Sequence, residues 1–147
     1  MNYCKKGYCL LIFYFLKAAF AMSEFHGISV GTERRDFGLL LSFKAVGRLT
    51  HQDYVVVLPI VDQVVMHSMN EDICVLIDLT ELQGWEVSEA WTDIRLACKY
   101  SDQFARTAVI GCNRWQRIMS IIGGWVLGGQ TRYFSEPHSA QHWLNHL

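Results

Sequence analysis

Ile73-Cys74-Val75-Leu76-Ile77-Asp78 is an unbroken apolar run stopped by a carboxylate. A strand wetted on one side would alternate apolar with polar residues. This run does not, which predicts burial on both faces, as at the centre of a parallel sheet. Thr107-Ala108-Val109-Ile110 is a second short run of the same kind, closed by Gly111 and Cys112. Between them, after Gly84, Val87, Ala90, Trp91, Ile94, Ala97 and Cys98 fall on one helical stripe, with Glu86, Glu89, Asp93 and Lys99 off it. Strand, helix and strand in that order predict a crossover unit joining parallel neighbours.

The same grammar extends in both directions. Upstream, Gly27–Glu33 and Leu39–Val46 are β-rich runs around Arg34-Arg35-Asp36-Phe37-Gly38, which suits a hairpin. Thr50 opens a helix, with Asp53 three residues on and Tyr54, Leu58, Val61 and Val65 at helical spacing. Pro59 inside that pattern predicts a kink or a late start. Downstream, Asn113 and Gln116 approximate a capping box before a face of Trp115, Ile118, Met119 and Ile122. A last strand spans Thr131–Phe134. Ser135-Glu136-Pro137 then opens a final helix whose buried stripe is Ala140, Trp143, Leu144 and Leu147. The expected fold is α/β with the order β-β-α-β-α-β-α-β-α. It has a mainly parallel sheet of four to five strands, an N-terminal β-hairpin and four flanking helices.

The chain has 147 residues and is 51% hydrophobic, enough for one domain with a packed core. Net charge is −1, but residues 1–21 hold Lys5, Lys6 and Lys17 and no acid, so the remainder carries −4. A mildly acidic body lacks the electrostatic footprint of a nucleic-acid binder. Cys74, Cys98 and Cys112 lie in or beside apolar runs without metal-ligand spacing, consistent with reduced thiols and a cytoplasmic setting. Residues 1–21 carry Lys5-Lys6, an apolar run Tyr8–Leu16 and Ala19-Phe20-Ala21. The leading reading is an upstream extension with Met22 as initiator and the domain over 22–147. A secretory signal peptide, implying secretion, and an uncleaved anchor are the alternatives.

Several residues invite a chemical role. Asp78 ends the central strand, and ligands of open parallel sheets bind beyond the carboxyl ends of strands, where Thr80, Gly111 and Asn113 also fall. Against this, an Asp in that position commonly does no more than cap a loop. His138, His142 and His146 share one face of the last helix, as chelating histidines can, but no acid or Cys accompanies them. His51, Asp53 and Asp93 suggest acid–base chemistry. No nucleophile elbow or phosphate-cradling Gly loop goes with them, so neither an enzyme nor a cofactor is expected. The least ordinary segment is Gly123-Gly124-Trp125-Val126-Leu127-Gly128-Gly129. A connection of this kind is normally polar. Trp125, Val126 and Leu127 between Gly pairs suit a lid over an apolar pocket that Trp85, Trp91 and Trp115 would line, although a plain aromatic core accounts for them too.

Taken together, Gly47-Arg48-Leu49-Thr50-His51-Gln52-Asp53-Tyr54, Leu76-Ile77-Asp78-Leu79, Gly84-Trp85, Trp91-Thr92-Asp93, Ala108-Val109-Ile110-Gly111 with Trp115, and Arg132-Tyr133-Phe134 resemble the SpoIIAA-like family over about residues 27–147. That family is a branch of the STAS-type fold, also likened to CRAL-TRIO lipid-transfer domains. The resemblance implies a four- or five-stranded sheet flanked by helices and no established enzyme activity. STAS-type anti-sigma-factor antagonists carry a phosphorylated Ser before the second helix. Here Ser88 is the only hydroxyl in that region, and Glu86 and Glu89 would repel a phosphate on it. The expected function is therefore a non-enzymatic binding or regulatory module for a lipophilic ligand or membrane surface. A regulatory module with a protein partner or a homodimer mate is the alternative.

Overall fold

A computed structural model of the chain describes residues 25–68, 70–85, 101–111 and 130–146. Five strands form one sheet: β1 (Gly27–Arg35), β2 (Gly38–Leu49), β3 (Ile73–Trp85), β4 (Phe104–Ile110) and β5 (Gln130–Phe134). Their spatial order follows the chain, β1-β2-β3-β4-β5. β1 and β2 are antiparallel, and every later neighbour is parallel. The hairpin and the parallel sheet thus follow the sequence pattern. Two helices are described, α1 (His51–His67) and α2 (Pro137–Asn145), with a 3₁₀ turn at Ser101–Gln103. The two further helices expected, after Gly84 and after Asn113, lie outside the described residues.

β3 is the sheet's central strand, and it is buried on both faces. On one side Leu41, Ile73, Val75 and Phe104 pack with Val65 of α1. On the other Leu40, Cys74, Ala108 and Ile110 pack with Ala140 and Leu144 of α2. Alternate residues of one strand therefore serve different layers, as the twofold repeat of a strand requires. Cys74 is a fully buried free thiol, and burial pushes its pKa up, so it behaves as a small apolar side chain.

Three elements run longer than their sequence signals. β2 continues through Gly47-Arg48-Leu49, and β4 begins at Phe104. β3 does not stop at Asp78 but pairs with β2 as far as Trp85, through two register shifts that each add a residue on β3. Bulges of this kind let a strand continue where its side-chain alternation is broken. In α1 the late start does not occur: the helix begins at His51 and runs through Pro59 to His67. Pro59 has no N–H to give the carbonyl of Val55, and it lies on the exposed face.

Two glycines are required by shape. Gly38, at φ 129°, follows the hairpin turn, and a Cβ there would collide with the carbonyl of Asp72, which accepts the Leu39 N–H at 2.9 Å. Gly47, at φ 68°, lies against the carbonyl of Phe25. Both positions favour a residue without a side chain.

α2 ends without a capping glycine. Instead Arg106 of β4 donates to the carbonyls of Trp143 (3.0 Å) and His146 (2.7 Å). The same guanidinium lies 5.1 Å from the Trp143 ring centroid, and that of Arg132 lies 5.4 Å from it. Cationic donors at a helix C-terminus satisfy its open carbonyls and oppose its dipole. Arg106→Ala should cost about 1.5–3 kcal/mol in urea unfolding, with a shifted Trp emission. Arg106→Lys should recover only part of it, because an ammonium lacks the planar guanidinium that lies against the Trp143 ring.

Candidate functional site

Asp78 sits where β4 leaves the sheet. It is the last β3 residue in register with β4, opposite Ile110, and it faces Lys44 of β2 on the other side. Its carboxylate accepts the Thr80 backbone N–H at 2.9 Å and the Thr80 hydroxyl at 2.6 Å. This local turn coincides with the first register shift, between Lys44 and Val46. Lys44 is paired with Glu81 at 2.6 Å. The Glu81 hydrogen bond and charge, with a smaller contribution from Asp78, hold the Lys44 ammonium above its usual pKa. Thr80, Lys44, Glu81 and Asp78 thus form one polar group at the expected edge. Asp78 braces a bulge there, in keeping with the loop-capping role weighed for it above.

Gly111 also reaches this edge, donating its N–H to the carbonyl of Phe134 at 3.2 Å. Trp85 closes β3 opposite Leu49. Asn113, Ser88, Asp93, Trp91, Trp115, Trp125, Val126 and Leu127 lie outside the described residues. The expected pocket and lid rest on these positions.

His51 and Asp53 part company. Asp53 accepts the Thr50 N–H at 2.8 Å and the Thr50 hydroxyl at 3.0 Å, fixing the first turn of α1. Its third partner is His26, whose Nδ1 lies 3.1 Å from the same oxygen. Sequence reading missed His26, which is 27 positions away from Asp53 and becomes its neighbour only because β1 runs beside α1. Asp53 is thereby a clamp between the lead-in to β1 and the start of α1.

His138, His142 and His146 are all exposed, as the helical spacing predicts. The rings of His142 and His146 stack at 4.1 Å, and His146 Nδ1 lies 2.8 Å from the carbonyl of His142. Among the described residues no group of three His, Cys, Asp or Glu is placed to hold a metal ion. Among them, too, no helix is long and apolar enough to cross a membrane.

Among the described residues, four of the five exposed large apolar side chains lie elsewhere, on α1: Val55, Val56, Ile60 and Met66. Nine of its residues are exposed: His51, Gln52, Val55, Val56, Pro59, Ile60, Gln63, Met66 and His67. None is Lys, Arg, Asp or Glu. Val56 and Met66 are 68% and 70% exposed. A surface helix normally turns charge outward. The sequence signal was available in the breadth of the valine-rich stripe around Val55, Val56 and Val57, which exceeds what one sheet face can cover.

The Asp53 clamp makes a pH-dependent prediction. Burial raises the Asp53 pKa, but the hydrogen bonds from Thr50 and His26 outweigh it and leave the carboxyl below its ordinary value. A depressed folded-state pKa contributes stability above the unfolded value, and that contribution disappears as pH falls through the folded one. Asp53→Asn should cost about 1 kcal/mol at neutral pH. The gap to wild type in urea titrations should close as the solution is acidified below the ordinary Asp pKa.

The comparisons agree with the architecture. The SpoIIAA-like family model matches residues 40–145. A crystal structure of an uncharacterized DUF3478-family protein with a SpoIIAA-like fold, from Shewanella loihica PV-4, is 36% identical at TM-score 0.71 and covers 83% of this chain and 97% of its own. An anti-sigma factor antagonist from Mycobacterium paratuberculosis superposes at TM-score 0.52 with 14% identity, over 80% of this chain and 93% of its own, a likeness of fold alone. No curated protein matches the chain. With the hairpin, the parallel strands and the α2 layer in place, and a family match from β2 to the end of α2, the chain belongs to the SpoIIAA-like family.

Proposed function

We propose that this domain is a non-catalytic binding module that associates peripherally with a lipid surface through the outer face of α1. The observation that carries the reading is the absence of any charged side chain among the nine exposed residues of that helix. Val55, Val56, Ile60 and Met66 are held outward because Val57, Val61 and Val65 already fill the sheet side. A helix with an apolar outer face lies in an interface plane when its buried area outweighs the loss of hydration. Gln52 and Gln63 lie among the apolar residues on the same face, and their amides suit the headgroup depth. The Asp78 group supports a binding rather than a catalytic role, since its carboxylate is committed to Thr80 and its lysine to Glu81.

Vesicle flotation of the full chain, with phosphatidylcholine and phosphatidylglycerol, tests this. The wild type should float with the lipid. Moving one aliphatic side chain out of water is worth about 1 kcal/mol or more. Val55→Ser with Met66→Ser should therefore weaken partition at least about tenfold, with the melting temperature nearly unchanged because both residues are exposed. A wild type that stays in the aqueous fraction, or a double variant that floats equally well, would overturn the reading.

A further inference from the structure

Among the described residues β1 is an edge strand, paired on one side only. Edge strands are ordinarily blunted by charge, proline, a bulge or shortness. β1 has none of these along its middle. It is nine residues long, and Gly27-Ile28-Ser29-Val30-Gly31-Thr32 holds no charge and no proline. Its register with β2 is unbroken from Gly27 to Arg35, whereas β2–β3 and β3–β4 both contain shifts. The charges beyond Thr32 are engaged within the chain, Glu33 with Arg35 at 2.8 Å and Arg34 with Glu71 at 2.9 Å.

The direction of the free backbone groups follows from the hairpin. Arg35 and Gly38 form the closing pair around Asp36-Phe37, so Arg35, Glu33, Gly31, Ser29 and Gly27 turn their N–H and C=O toward β2. The Ser42 hydroxyl accordingly reaches the Gly31 carbonyl, at 3.2 Å. Ile28, Val30 and Thr32 turn theirs outward, where the sheet offers no partner.

We propose that this edge pairs with the β1 edge of a second copy of the chain, antiparallel, about a two-fold axis through Ser29. The strand is complementary to itself in that register. Ile28 faces Val30 of the second copy on the α1 side of the sheet, twice by symmetry. Gly27 faces Gly31 of the second copy on the other side, and Ser29 faces its own mate. Apolar β-branched residues meet on one face and small residues on the other, and no like charges are opposed. The contact is isologous, so it closes at two copies rather than growing into a fibre. A two-fold perpendicular to the sheet keeps both α1 helices on one side of a ten-stranded sheet. Ile60, 41% exposed, lies one turn before Val64, which packs in the same cluster as Val30. It therefore borders the seam and extends the apolar contact. Ile60 belongs to both readings, whereas Ser29 and Val30 belong to the pairing alone and Val55 and Met66 to the lipid face alone, so the two sets of variants report separately.

Sedimentation equilibrium of the full chain and amide exchange by NMR test it together. The wild type should sediment at twice the chain mass, and the amides of Ile28, Val30 and Thr32 should gain protection as concentration rises. Ser29→Lys places two ammonium groups at the axis and should return the mass to that of one chain. Its melt at low concentration should match that of the wild-type monomer, because Ser29 is exposed. Val30→Pro removes an outward N–H that β2 does not use and should do the same. A monomeric wild type, a dimer that survives Ser29→Lys, or edge amides whose exchange ignores concentration would each overturn the proposal.

Discussion

The fold depends on burying β3 on both faces at once. Cys74 and Val75 are adjacent, almost wholly inaccessible, and point to opposite layers. Neither α1 nor α2 alone could keep this strand dry, so the sheet must be roofed on two sides. The unsatisfied ends of those roofs then need partners from the sheet. Arg106 supplies them for α2, and Asp53 with His26 fixes the start of α1. The polar contacts that look most like chemistry in the sequence are for this reason mostly joinery.

Much of the architecture was legible because it rests on local patterns. The hairpin, the strand order along the chain, the start of α1 at Thr50 and the Ala140–Leu144 stripe all follow from periodicity and capping chemistry. The misjudged points are those where a distant contact decides. Asp78 reads as a strand terminus because a carboxylate ends an apolar run. Yet Thr80 satisfies that carboxylate within the strand, and β2 keeps pairing as far as Trp85. Pro59 suggests a kink or a late start for α1, but the helix begins at His51: the residue that loses its donor faces outward, and the tertiary packing of Val57, Val61 and Val65 holds the helix together.

The candidate site was less legible. Asp78, Thr80 and Gly111 do come together at the carboxyl edge of β4, as strand-end geometry suggested. The partners that define their setting, Lys44 and Glu81, were invisible, because pairing across parallel strands depends on register. The outer face of α1 was present in the sequence as an excess of valine. Valine at those positions does not by itself point outward, since apolar residues are usually inside. Only the width of the sheet shows that some of them have nowhere to go.

Pro59 sets a limit on any medium that covers α1. The carbonyl of Val55 has lost its usual helical donor and belongs to the face that also carries Val56, Ile60 and Met66. In hydrocarbon an unmatched carbonyl costs several kcal/mol. The helix can therefore be immersed only as far as water or a headgroup hydroxyl can still follow that oxygen. A single imino acid would thus act as a depth gauge for the proposed lipid contact, favouring a shallow and reversible one over insertion.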